Sequence, residues 1–143
     1  MVVEQPSMSR ARLTRELARR LPGLHGAGQI WCARVEPFDV YILADERADR
    51  VRITIPVARA DAHDHELLLV LLSANFDRAL DAHYAVYDGL VWCLFTHALA
   101  SLTPDDIDRA LEGVLRLAAN TGTTFSCAET RPSGTLGVEG GVA

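Results

Sequence analysis

The sequence predicts an α+β fold, in the order α-β-β-β-α-β-β-α, with a five-stranded antiparallel sheet packed against helices. Three observations carry this. The strand-like runs between residues 29 and 57 are joined by segments of four and five residues, whereas a parallel crossover needs a dozen or more. Asp88-Gly89 lies between two apolar runs, and both residues accept the positive φ of a type I′ hairpin turn. Thr103-Pro104-Asp105-Asp106 opens a run of helical period with a capping residue, a proline at the first position and acids at the positive end of the dipole.

Each element has its own signal. Residues Ser7 to Leu21 read as a helix: Ser7 or Ser9 can cap it, Leu13, Leu17 and Leu21 recur at i+4, and Pro22-Gly23 ends it. At about 100° per residue the leucines form a narrow stripe, so this helix docks along one seam with Arg12, Arg15 and Arg19 opposite. Strands are expected at Gln29–Val35, Val40–Ala44 and Arg50–Val57. The third alternates cleanly, with Val51, Ile53, Ile55 and Val57 on one face and Arg50, Arg52 and Thr54 on the other. A second helix spans about Asp64 to Arg78 and is apolar on two sides. Leu67, Val70, Leu71 and Ala74 gather on one; Leu68, Leu69, Leu72 and Phe76 gather nearly opposite. Such a helix must be covered twice, by the sheet and by either the first helix or a second subunit. Tyr84–Tyr87 and Leu90–Thr96 make the hairpin. The last helix buries Ile107, Ala110, Leu111, Val114, Leu115, Leu117 and Ala118, and stops near Gly122.

Length and composition are those of one ordinary domain, expected over residues 7–125, with a flexible N-terminus at 1–6 and a flexible glycine-rich tail at 126–143. The longest apolar run, Leu67 to Leu72, is far short of the ~20 residues of a membrane helix, and the N-terminus shows no secretory pattern, so a cytoplasmic location without membrane association is expected. Cys32, Cys93 and Cys127 form no C-x-x-C pair, which disfavours a disulfide framework. All fourteen basic residues are arginine. Residues 10–20 carry +4, which leaves −9 on the rest of a chain whose net charge is −5. An acidic body favours basic protein partners and disfavours direct binding of nucleic acid.

No set of residues has the spacing that catalysis or a cofactor needs. His63-Asp64-His65 with Glu66 is the best metal candidate, with His25, His83 or His97 as a further ligand, yet residues at i, i+2 diverge on a helix and no H-E-x-x-H is present. The acids Asp45-Glu46-Asp49 and Asp105-Asp106-Asp108 fall in a strand turn and a first helical turn, which explains them without catalysis. Cys93 and His97 are far apart along one strand, and Gly26-Ala27-Gly28 precedes a strand where a phosphate loop would follow one. The candidate surface for a second subunit or a partner is therefore Leu67, Leu68, Leu71, Leu72 and Phe76, the strand aromatics Trp31 and Tyr41, which are read as sharing one register, and Arg12, Arg15 and Arg19.

The element order, the leucine-rich helix ending Leu71-Leu72-Ser73-Ala74-Asn75, the Asp88-Gly89 turn, the strand Val91-Trp92-Cys93-Leu94-Phe95 and the helix opened by Leu102-Thr103-Pro104 together resemble the type III secretion chaperone-like fold, and within it the bacterial YbjN family. The resemblance covers roughly residues 7–122. It implies a non-enzymatic, homodimeric adaptor or chaperone-like module without a cofactor, one that binds protein clients and takes part in a bacterial stress response. The arginine-rich first helix and the glycine-rich tail depart from secretion chaperones. The competing expectation is a small-ligand or metal-dependent enzyme built on the His63/His65 region.

Overall fold

The computed structural model describes residues 6–60, 65–77 and 80–121. Along these residues run α1 (Arg10–Arg20), β1 (His25–Ala27), β2 (Ile30–Val35), β3 (Phe38–Asp45), β4 (Arg50–Arg59), α2 (His65–Asp77), β5 (His83–Tyr87), β6 (Leu90–His97) and α3 (Pro104–Ala119). The strands form one antiparallel sheet in the order β1-β2-β3-β4-β6-β5. The meander β1 to β4 is followed by α2, and the chain returns through the edge strand β5 before β6 fills the place beside β4. The expected α+β class and helix–hairpin–helix order are what is found. The glycine-rich stretch 126–143 and most of the N-terminal segment lie outside the described residues.

The sheet has six strands where five were expected. The additional strand, β1, is three residues long and carries no apolar alternation, so nothing in its side chains announces it. Its glycines make it. Gly28 turns the hairpin with φ of 66°, and a Cβ on Gly26 would stand 2.2 Å from the Ile30 carbonyl oxygen, so only glycine lets β1 approach β2 this closely. The other boundaries move outward. Phe38 and Asp39, expected in a loop, belong to β3 because Val35 pairs with Phe38 across a two-residue turn. β4 continues to Arg59 through an irregularity between Pro56 and Ala58, where proline is tolerated in an interior strand.

One face of the sheet carries the main core. Trp31, Val40, Ile42, Ile53, Ile55, Cys93 and Phe95 pack with Leu13, Leu17 and Leu21 of the first helical segment and with Ile107, Leu111 and Val114 of α3. α3 lies over β4 and β6, and α2 over β5. α1 is capped by Ser9, whose hydroxyl accepts the Arg12 N–H, and is fastened to α3 by Arg20, which donates to Glu16 at 2.7 Å and to Asp108 at 2.5 Å. Hydrogen bonds from Arg20 hold both carboxyls below the ordinary acid range.

α3 begins with the expected cap in its reciprocal form. The Asp106 N–H donates to the Thr103 hydroxyl, and the Thr103 N–H donates to the Asp106 carboxylate at 2.9 Å. The backbone bond from Thr103 is the largest cause of a lowered Asp106 pKa, and Arg109 adds to it. The consequence for stability has a definite sign. A carboxyl whose pKa is lower folded than unfolded binds protons first in the unfolded chain, so its contribution is complete above the ordinary carboxylate range and is lost as pH falls towards the folded value. The thermal midpoint is therefore expected to fall on acidification below about pH 5 and to fall less steeply in Asp106→Asn, as followed by circular dichroism. Thr103→Ala is expected to cost about 1 kcal/mol at neutral pH.

Candidate partner surface

α2 is where the sequence supplies more apolar side chains than one contact can bury. Its position is fixed by a single amide. Asn75 accepts the Tyr84 N–H at 2.7 Å and donates to the Tyr84 carbonyl at 2.9 Å, so one side chain occupies both backbone groups with which Tyr84 faces away from β6. Tyr84 in turn donates its hydroxyl to the Leu117 carbonyl of α3 at 2.9 Å, and burial pushes that hydroxyl up to about 12. Tyr84 thus ties β5, α2 and α3 together, and α2 covers the outer edge of the sheet at this point, where an open ladder would invite pairing.

This anchor sets the rotation of the helix. Asn75 must face β5, which turns Leu67, Leu68, Leu71 and Ala74 inward and Leu69, Val70, Leu72 and Phe76 outward. The expected grouping is corrected accordingly: Val70 leaves the docked side and Leu68 joins it. Only Leu71, 7% exposed, is buried; Leu72 is 63% exposed and Phe76 95%. α1 does not cover this surface, because its leucines enter the core beside Trp31 and its Arg10 stacks over the Trp31 ring at 5.2 Å.

Two depressions flank α2. Between α2 and α3 lies a cleft of about 580 Å³ with Leu71, Ala74, Ala82 and Leu117 among its walls and Arg109 and Arg116 beside them. Between α2 and β5 lies a smaller pocket of about 120 Å³, almost wholly apolar, lined by Leu68, Leu71, Leu72, Tyr84, Val86 and Val91 among others. The stripe Leu69, Leu72, Phe76 runs beside this pocket, whose far wall includes the exposed Val86 of β5.

The opposite face of the sheet holds a second, smaller cluster. Tyr41, Leu90 and Trp92 are buried there, with Ile30, Cys32 and Leu43 packed around them and no described helix contributing. The rings of Tyr41 and Trp92 meet edge to face at 6.4 Å, and the Trp92 indole N–H donates to the Tyr87 carbonyl. Trp31 and Tyr41 were expected to share a register, and they do not. Trp31 stands opposite Ile42 on the helix-covered face and Tyr41 opposite Cys32 on the other. Across a turn of even length, odd-numbered residues of one strand pair with even-numbered residues of the next, so the two aromatics point to opposite faces.

The three arginines named with this surface lie apart from it. Arg12 donates to the Pro6 carbonyl, Arg15 is exposed, and Arg19 approaches Glu16 at 3.6 Å. Among the described residues no group of three or more His, Cys, Asp or Glu converges. His63 lies outside the described residues, and His65 is exposed at the start of α2. The strand-turn acids serve the backbone: Asp45 accepts the N–H groups of Arg47 and Ala48, and Asp49 that of Ala100. Burial pushes the Cys93 thiol up to about 12, so it stays protonated and inert at neutral pH. No described helix is long and apolar enough to cross a membrane.

No family model and no curated protein matches the chain. Solved structures do. A chain of the ExsC–ExsE complex is 22% identical with a TM-score of 0.63, over 82% of this chain and 96% of that one. The Yersinia pestis type III secretion chaperone SycH, solved with a stable fragment of YscM2, gives 12% identity and a TM-score of 0.57, over 77% and 97%. YbjN from E. coli gives 10% and 0.53, over 79% and 84%. The expected likeness to secretion chaperones and to YbjN holds at the level of the fold.

Proposed function

We propose that this chain, as a single domain over residues 7–125, is a non-enzymatic protein-binding module, chaperone-like in action, that works as a homodimer in the cytoplasm. The observation that carries the reading is the exposed apolar surface formed by Leu69, Leu72 and Phe76 with Val86 of β5, on a helix anchored by the Asn75–Tyr84 bonds. A helix that presents this much apolar surface is an interface in search of a second protein. The fold supports the client-binding half, since the secretion chaperone SycH, which shares it, has been solved in complex with a stable fragment of YscM2. Charge supports basic clients, because the body outside the first helix is acidic. A role in a bacterial stress response rests on the likeness to YbjN alone.

Light scattering at micromolar concentration is expected to give about twice 15.6 kDa. Capture from extract of the native cell, followed by reconstitution with the purified hit, is expected to give a complex of fixed stoichiometry. A strict monomer that forms no such complex would end this reading. A stoichiometric metal ion retained through chelation would instead favour the enzyme built on the His63/His65 region.

A further inference from the structure

Phe76 and the apolar pocket beside it are complementary in size and chemistry. Phe76 lies on the last turns of α2 with 95% of its surface in water, the most exposed large apolar residue described. The pocket between Leu68, Leu72 and Val86 is about 120 Å³, of the order of the roughly 150 Å³ apolar cavity that holds a benzene ring. Phe76 cannot enter the pocket of its own subunit. Leu72 lies one turn before it on the same helix, and the side chain projects outward.

We infer that the two subunits of the homodimer exchange these features: Phe76 of each inserts into the Leu68–Leu72–Val86 pocket of the other, with the two α2 helices antiparallel about a two-fold axis near Ser73. The inference rests on the homodimeric reading above and specifies its register. A two-fold interface must be self-complementary, so a knob and a hole on one surface suffice to close it. The register follows from the spacing. With the knob at 76 and the hole centred near 70, an antiparallel pair must cross near 73. There the sequence has a serine, small enough to let helices meet at the usual 8–10 Å. Leu69, Leu72 and Phe76 recur at i, i+3, i+7, the spacing of one seam along a helix. The area is also adequate. At roughly 150–200 Å² for a fully exposed large side chain, Leu69, Leu72, Phe76 and Val86 present on the order of 500 Å² per subunit, or ~1,000 Å² in total, the least that a specific interface buries.

The test combines charge substitutions with a cross-link. Phe76→Asp is expected to give a folded monomer, and Phe76→Ala to raise the dimer dissociation constant about 100-fold or more, since the contact is lost twice. Phe76→Leu should retain the dimer, as should Val70→Asp, which faces the α2–α3 cleft. Ser73→Cys should form an inter-subunit disulfide on mild oxidation, beyond any seen in the parent chain, because the two Cα atoms approach near the axis. A parent dimer that survives Phe76→Asp, or one in which Ser73→Cys does not cross-link, overturns the exchange and leaves the dimer standing. A parent chain that is monomeric at 50 µM and above overturns both.

Discussion

Leu71→Asp and Leu72→Asp, one residue apart, are expected to have opposite consequences: the first unfolds the subunit and the second leaves it folded but alone. Helical periodicity gives no way to rank them, since both are leucines in a run of apolar residues. The structure separates them by burial. Leu71 is 7% exposed and contacts the core through β5 and β6, so an aspartate there loses its packing and places a carboxylate among apolar side chains. Losing a buried leucine alone costs about 2–5 kcal/mol, and taking the acid out of water adds to that, which together approaches the whole stability of a small domain. Leu72 is 63% exposed, so in the isolated subunit its replacement by aspartate costs on the order of 0.5 kcal/mol or less. In a dimer that shares this face, two carboxylates would be buried against apolar surface near the axis. The dissociation constant should then rise by about a thousandfold or more. Thermal denaturation and light scattering of the two variants, side by side, read the two outcomes. A Leu72→Asp variant that remains dimeric would move the shared face elsewhere on the molecule.

What the sequence shows and what it conceals follow from where each signal is local. α3 is legible because its cap, its first-turn acids and its apolar face are all encoded within the helix, and the Asp88-Gly89 hairpin because its turn chemistry is contained in two residues: Asp88 indeed takes φ of 51° and Gly89 of 73°. β1 is concealed because a strand of three residues is defined by its neighbour and not by its own pattern. The sides of Trp31 and Tyr41 depend on the parity of the turn between them, which single-strand alternation does not contain. The rotation of α2 is the instructive case. On an apolar helix, periodicity cannot choose a face. The choice is made by the one polar residue amid the inward side, Asn75, whose need for hydrogen bonds outweighs the near-equal preferences of eight apolar neighbours. A lone amide within an apolar sector was the available signal that the helix has a dedicated backbone partner.

Asn75→Leu, which keeps the size of the side chain and adds apolar surface, is accordingly expected to destabilise the protein. Both backbone groups of Tyr84 that face α2 lose their partner, and a part-buried donor and acceptor left unmade cost about 1–3 kcal/mol each before water compensates. A net loss of about 2–3 kcal/mol is expected, although on hydrophobicity alone the change should stabilise. Asn75→Asp separates the two bonds. One carboxylate oxygen can still accept the Tyr84 N–H, but the other faces the Tyr84 carbonyl and repels it. This variant should therefore gain stability as the pH is lowered through the pKa of the new carboxyl, opposite in sign to the parent, because only the protonated acid can donate to that carbonyl. Amide hydrogen exchange supplies the local readout: the Tyr84 N–H should lose protection in Asn75→Leu and keep it in Asn75→Asp. If the exchange of α2 surfaces between subunits holds, Asn75→Leu also weakens the dimer without touching the interface, because the pocket for Phe76 exists only while the helix is held at this rotation against β5. Equal stability of Asn75→Leu and the parent would mean that packing alone orients α2, and the presentation of Leu72 and Phe76 would then need another cause.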